Sequence, residues 1–257
     1  LHVHAAIDMQ LLPRHVASLA RGKVCHRVCD VRRLAHVTQR DLRIERFLLV
    51  FGQHGYLWPC QGMRPPGGVW LHNYAVDMAR SPNGRWWVIA DRTQAPSGAG
   101  YALENRLIVS HVFPEMFRDL HVQHLADFFR DQVEGLAALA PRDPDEAPHI
   151  VLLTPGHYNE TYFEHAYLAR YLGFPLVEGS DLLVRGGKVW LKHLSGLRRV
   201  HAIVRRLDDD FCDPLELRAD SALGVPGLLD AARRGEVLIA NALGSNLLES
   251  GALLGFL

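Results

Sequence analysis

Asp91, Glu104, Asn105 and Arg106 fall in one short stretch, DRTQAPSGAGYALENR, and carry its chemistry. Two carboxylates and an amide side chain supply hard oxygen atoms, the ligands that Mg²⁺ takes alongside phosphates. An adjacent arginine suits the neutralisation of charge transferred on a phosphoryl group. A strand-like run, WWVIA (86–90), delivers Asp91, and a turn from Pro96 to Gly100 follows it. Gly98 and Gly100 allow the backbone to come close to a ligand such as a nucleotide, because a glycine has no Cβ to obstruct it, and Ser97 beside them is a further candidate contact. Asp77 and Arg80 stand upstream, Arg80 as a second candidate for handling transferred charge. The same spacing also fits a hairpin whose charged residues simply face water, and from spacing alone both readings stay open.

Three further clusters could bind substrate. TPGHYNETYFEH (154–165) places Thr154, His157, Asn159 and Glu160 after a buried strand. That is the edge where open α/β sheets bind ligands, and a helix start there attracts anions. The alternative is an ordinary helix capped by Asn159 or Thr161. In RRLDDDFCDPLEL (205–217), Asp208, Asp209 and Asp210 repel one another unless an arginine, a metal or a substrate amine offsets them. Arg205, Asp209 and Asp210 are its candidates, against a charged surface loop paired with Arg205 and Arg206. Cys212 has no catalytic partner at a recognisable spacing and reads as a packed thiol. ANALGSNLLES (240–250) holds Asn241 and a small-residue turn, Gly244–Ser245–Asn246, suited to a phosphate or carboxylate at a helix start. It lacks the Gly-Lys-Ser/Thr of a Walker loop.

The elements that must position these groups follow from periodicity and breakers. Val69 to Ala75 alternates as a strand, SPNG (81–84) is a turn, and WWVIAD returns. Leu103 to His111 begins a helix or a last strand. Residues 114–139 repeat apolar side chains at helical spacing and predict one long helix opened by Pro114. APRDPDEAP (140–148) is a polar connector and the expected domain boundary. Beyond it strands and helices alternate: HIVLLTPG, a helix through FEHAYLARYL stopped by Gly173, FPLVEG, a hairpin at Gly186–Gly187, Val200 to Arg206, a helix in GVPGLLDAARRG, and EVLIAN. This predicts α/β architecture, an α+β lobe (47–140) joined to a Rossmann-like domain (149–257), after an Arg- and His-rich segment (1–46) with short helices.

Composition narrows the class. The 257 residues carry 28 Lys plus Arg and 28 Asp plus Glu, so no net field favours nucleic acid or an anionic membrane. No apolar run approaches the ~20 residues of a membrane span. Four cysteines (Cys25, Cys29, Cys60, Cys212) without a signal-like segment fit free thiols in a reducing, cytoplasmic setting. Cys25 and Cys29 have no second Cys/His pair to complete a zinc site. Both ends look cut, since the chain opens without methionine and stops in an apolar segment.

In their order along the chain, DRTQAPSGAGYALENR, PGHYNETYFEHAYLARYLGFPLVEGSDL, RRLDDDFCDPLELR and ANALGSNLLES resemble the circularly permuted ATP-grasp type 2 family. That bacterial family is similar in fold to glutathionylspermidine synthase, and the likeness runs from about Val50 to the end. It implies an ATP-dependent carboxylate–amine ligase in peptide synthesis or modification, with ATP and Mg²⁺ as cofactors. Asp91, Glu104 and Asn105 would be the metal-side residues and Arg106 a phosphate contact. Residues 149–257 would be the pre-ATP-grasp domain, contributing to the binding of carboxylate and amine substrates. The family also implies inactive members and a helical partner domain, fused or encoded nearby. Residues 1–46 do not match the family's helical N-terminal region. Glu104 and Asn105 are adjacent where many grasp enzymes space them by two. The nucleotide-gripping lysines are expected past Leu257, so the 257-residue chain alone is expected to be inactive.

Overall fold

The computed structural model describes residues 56–250. The helices expected in 1–46, the strand expected at Phe47–Gly52, and Cys25 and Cys29 lie outside them. The chain divides into two units, Leu1–Tyr56 with Leu247–Leu257, and Leu57–Asn246; the fold that follows is that of the second.

The centre is a four-stranded parallel sheet in the order β4 (Leu176–Val177), β3 (Ile150–Leu153), β8 (Ala202–Arg205), β9 (Leu238–Ala240). Its strands are nearly continuous apolar runs because both faces are covered, as parallel sheets require. Successive side chains point to opposite faces. Ile150, Leu152, Ala202, Val204 and Leu238 pack with Leu103 of α1 (Ala99–Val112), Phe129 and Leu136 of α3 (Ala126–Leu139) and Leu168 of α4 (Tyr162–Leu172). Val151, Leu153, Ile203 and Ile239 pack the other way. They meet α5 (Leu228–Arg233) and the antiparallel sheet β5 (Leu182–Arg185), β6 (Lys188–His193), β7 (Gly196–Val200). The segments on either side of the connector at 140–148 thus share one core.

A hairpin, β1 (Ala75–Arg80) with β2 (Trp86–Arg92), precedes α1. Three local expectations are corrected. The strand expected over Val69–Ala75 begins only at Ala75, because the preceding backbone is paired elsewhere: His72 and Asn73 donate to the Asn241 side chain, and the Trp70 carbonyl accepts from Ala242. The long helix expected over 114–139 is split into α2 (Pro114–Asp119) and α3, with His121 between them at φ 51°. Val200 to Arg206 is divided between β7 and β8, the polar β7 having gone unseen in the sequence. The hairpin turn at Gly186–Gly187 and the left-handed Gly173 at the end of α4 fall where expected.

Candidate functional site

Parts of all four sequence motifs meet at the C-terminal edge of the parallel sheet, the first through Thr93–Gly100 alone. The chain after β2 crosses that edge and is pinned there residue by residue. Thr93 donates its hydroxyl to the Ser245 carbonyl at 2.8 Å. The Gln94 side chain accepts from the Asp209 amide at 2.6 Å, and the Pro96 carbonyl accepts from Arg206 Nη1 at 2.7 Å. Gly98 and Gly100 donate their amides to Glu164 Oε1 at 2.8 and 2.9 Å. Gly98 sits at φ 104°, where a side chain is strained, and opens α1 as its N-cap. A Cβ on Gly100 would come within 2.8 Å of Glu164 Cγ. The close approach that these glycines permit is therefore to the chain's own glutamate, which stands where an anion would at a helix start.

The acids after β8 behave alike. Asp209 is fully buried; its Oδ2 accepts the amides of Gly244 and Asn246 at 3.1 and 3.3 Å, and its Oδ1 that of Asp210. Burial pushes the Asp209 carboxyl up, opposed by Arg205 and by those amides. Arg205, 1% exposed, donates to the carbonyls of Asn241 and Leu207 and to the Ser245 hydroxyl. Asp213 takes the amides of Leu215, Gly227 and Leu229, the last at the start of α5. Asn241 uses its whole hydrogen-bonding capacity, accepting from His72 and Asn73 and donating to the carbonyls of Asn73 and Thr93. Asp208 is exposed and Asp210 half-buried, the latter paired with Arg218 at 3.2 Å. Cys60 and Cys212 are buried, and burial pushes both thiols up to about 12.

The loop after β3 is held by a histidine that sequence reading overlooked. Thr161 donates its hydroxyl to Asn159 Oδ1 at 2.6 Å, so His165 Nε2 must donate to the Thr161 oxygen at 2.9 Å. His165 Nδ1 then accepts the Thr154 hydroxyl at 2.9 Å, while Thr154 accepts the Gly156 amide. Every group is satisfied with a neutral imidazole, and burial with Arg206 nearby lowers its pKa to about 4. Thr154 and Asn159 are thus turned inward, whereas His157 and Glu160 are exposed, His157 lying 4.0 Å from the Tyr158 ring.

The first cluster is dispersed. Asp91, on β2, accepts the Tyr74 hydroxyl at 2.6 Å, and Glu104, on α1, accepts that of Tyr167 at 2.7 Å. Asn105 follows Glu104 on the helix, about 100° around the axis. With Arg106 it lines a groove toward α2, where Arg106 also donates to the Gln123 carbonyl. Arg80 donates to the Gly84 carbonyl and lies over Trp86. Asp91, Glu104 and Asn105 offer oxygens of the kind Mg²⁺ takes, but as they stand they face three different neighbours and do not form one donor set. Among the described residues no three His, Cys, Asp or Glu side chains group as a metal site.

Ser97 and Gly98 border a cavity of about 380 Å³ on the α1 side of the sheet, whose wall also includes Asn73, Phe128, Gln132 and Arg206. Thr93, Gln94, Glu164, His165 and Arg206 had gone unnamed as site candidates; an acid on a predicted helix's inner face was the readable signal for Glu164.

A parallel sheet flanked by helices, with its motifs gathered at the strands' C-terminal ends, is the α/β arrangement that carries ligand sites at that edge. The chain belongs to the circularly permuted ATP-grasp type 2 family, whose model matches residues 43–257. It is 46% identical over 209 residues to the uncharacterised Mycobacterium tuberculosis protein Rv2567, covering 81% of this chain and 24% of that protein. It is 42% identical over 208 residues to the uncharacterised Synechocystis protein sll0335, covering 81% of this chain and 43% of the relative. A second M. tuberculosis protein, Rv2411c, is 40% identical over 208 residues, with 81% and 37% covered. The chain thus spans from 24% to 43% of the length of these relatives. No helix among the described residues is long and apolar enough to cross a membrane.

Proposed function

We propose that this chain is part of an ATP-dependent carboxylate–amine ligase acting on peptide-like substrates in the cytoplasm. In that reaction a carboxylate oxygen attacks the γ-phosphorus of ATP and ADP leaves. An amine then attacks the acyl carbon, phosphate departs, and the amine gives up a proton as the amide forms. The observation that carries the reading is the convergence of parts of the four family motifs on one sheet edge beside a cavity holding a buried arginine. Residues 47–140 would serve as a grasp lobe and 149–257 as the pre-grasp domain, and residues 99–140 share a core with residues 150–240. ATP and Mg²⁺ are the cofactors this reading requires. Asp91, Glu104 and Asn105 would meet the ion, the first two by leaving their tyrosine partners, and Arg106 and Arg80 would meet phosphate. His157, Glu160 and Asp210 are the groups left to meet substrate.

The test is amine-dependent release of ADP from Mg·ATP by the longer protein that contains this chain. Loss of turnover in Asp91→Ala and Glu104→Ala, with folding unchanged, is expected. Full turnover in both would remove these acids from the site. A second reading is favoured by a separate observation: the amides of Gly98 and Gly100, and of Gly244 and Asn246, are already filled by internal carboxylates. This fits an ATP-grasp fold kept as a scaffold that docks a helical partner. Absence of both ATP binding and ADP release in the longer protein would favour it.

A further inference from the structure

The groove between α1 and α2 is shaped and charged for one kind of end group. Ala102, Asn105, Arg106 and Val109 line it from α1, and their i, i+3, i+4, i+7 spacing puts them on a single face of that helix. Met116 and Phe117 of α2, and Leu120 just past its end, close the other side. Val109, Met116 and Leu120 are 38%, 54% and 67% exposed, and neighbouring large apolar side chains open to solvent mark a docking site. The volume, about 230 Å³, lies below the range for drug-sized ligands and leaves room for one large side chain.

Two polar side chains stand in this apolar channel, and both have bonding capacity to spare. Arg106 donates through Nη1 to the Gln123 carbonyl and makes no ion pair among the described residues. None of its nitrogen atoms is among the buried unpartnered ones, so the rest of the guanidinium is open to solvent. No acid lines the groove: Glu104 is held by Tyr167, and Glu115 and Asp119 of α2 lie outside it. An accessible guanidinium in such surroundings takes a carboxylate through parallel hydrogen bonds. The Asn105 side chain, exposed and one residue before it, makes no hydrogen bond among the described residues. Its carboxamide carries the donor and acceptor that match the C=O and N–H of a peptide group.

We propose that this groove captures the free C-terminal residue of a peptide that ends in a large aliphatic side chain. The carboxylate meets Arg106, the preceding peptide group meets Asn105, and the side chain fills the space between α1 and α2. Charge complementarity selects this occupant over a wholly apolar partner, which would cover Arg106 and leave its charge unpaired. A role for the captured C-terminus as the acyl donor of the ligase rests on the function proposed above; the binding itself does not.

The probe is N-acetyl-alanyl-leucine. It is compared with its C-terminal amide, with N-acetyl-alanyl-glycine, which lacks the side chain, and with octanoate, an apolar acid without a peptide group. Binding is measured by isothermal titration calorimetry on the full 257-residue chain without nucleotide. The leucine acid is expected to bind at least tenfold more tightly than each of the other three. Val109→Trp, at an exposed position of the groove wall, should abolish binding while leaving the unfolding transition in place. Arg106→Gln should remove the preference for the acid over its amide, and Val109→Trp keeps the test decisive should that variant fail to fold. No binding of the leucine acid, equal binding of any of the three comparison ligands, or undiminished binding by Val109→Trp would each overturn the proposal. Selective binding of the leucine acid upholds the site even where the longer protein releases no ADP. ADP release without this binding removes the site and leaves the ligase reading standing.

Discussion

Asp77, Asp91 and Glu104 are met by side chains near the surface, whereas Glu164, Asp209 and Asp213 are met by backbone amides in the interior. Arg92 pairs with Asp77 at 2.6 Å with both side chains about half exposed, and Tyr74 and Tyr167 cap Asp91 and Glu104. Glu164, by contrast, is fully buried and joins the start of α1 to α4 through two amides. The residue type is the same, but its surroundings decide its use. A carboxylate held by amides in the interior is part of the architecture. One held by a single hydroxyl at the surface can exchange that partner for a ligand at small cost.

The largest effect that would break this contrast is at Glu164. Glu164→Ala leaves two amides without their acceptor and Arg206 as a buried charge without its nearest anion. We expect a loss of about 3–5 kcal/mol in unfolding free energy, the range for breaking a buried pair. Glu104→Ala, the surface counterpart, is expected to lose at most about 1 kcal/mol. Urea denaturation of both variants checks the difference, and equal losses would refute the division into interior and surface acids.

Acid should weaken the interior before the surface. His165 is neutral in the fold with its pKa lowered to about 4, against 6.5 for an ordinary histidine. As pH falls from 6.5 toward 4, the unfolded chain takes up this proton first, so stability drops by about 3 kcal/mol across that window. Above pH 6.5 the group contributes no pH dependence. In His165→Gln this fall should flatten, and an unchanged profile in a pH series of denaturation midpoints would exclude His165 as its source.

What the sequence made legible was local. Runs such as IVLL and AIVR read as buried strands, and Gly173 and Gly186–Gly187 read as a stop and a turn, because each signal lies within a few residues. The site depends on partners far apart along the chain: Thr93 with Ser245, Gln94 with Asp209, Gly100 with Glu164. No spacing rule connects such pairs, so glycines that receive Glu164 carry the same local signal as glycines that receive a ligand. The run Asp208–Asp210 likewise looked like a repulsive surface cluster, since nothing local shows that Asp209 is buried against the amides of Gly244 and Asn246.

Gly100→Ala tests the interior with a single methyl group. Built on the existing backbone, it would stand 2.8 Å from Glu164 Cγ and 3.2 Å from Leu168 Cγ, both in packed surroundings. Overpacking of this kind costs about 1–3 kcal/mol. Gly98→Ala meets no atom within 4 Å, so its penalty would come from φ 104° alone. Urea denaturation of both variants measures the two penalties, and unchanged stability in Gly100→Ala would refute the close packing of Gly100 against Glu164.

The smallest effect is expected at Tyr74. Burial and then the hydrogen bond to Asp91 push its phenol up to about 12. The neutral phenol is favoured in the fold, so its contribution is complete below pH 10 and is lost as pH rises through the folded value. Tyr74→Phe removes one exposed hydrogen bond and should cost no more than about 1 kcal/mol. Asp91→Asn should lower the Tyr74 phenol only partway toward 10, because burial remains; absorbance titration of the phenolate measures this. The small size of the effect gives it its value. A change at Asp91 that slowed ADP release by more than about tenfold would exceed what this hydrogen bond can supply, 1.4 kcal/mol being one factor of ten. The excess would have to come from a ligand on Asp91, whereas a change within that limit would leave Asp91 as a tether between the chain before β1 and the end of β2.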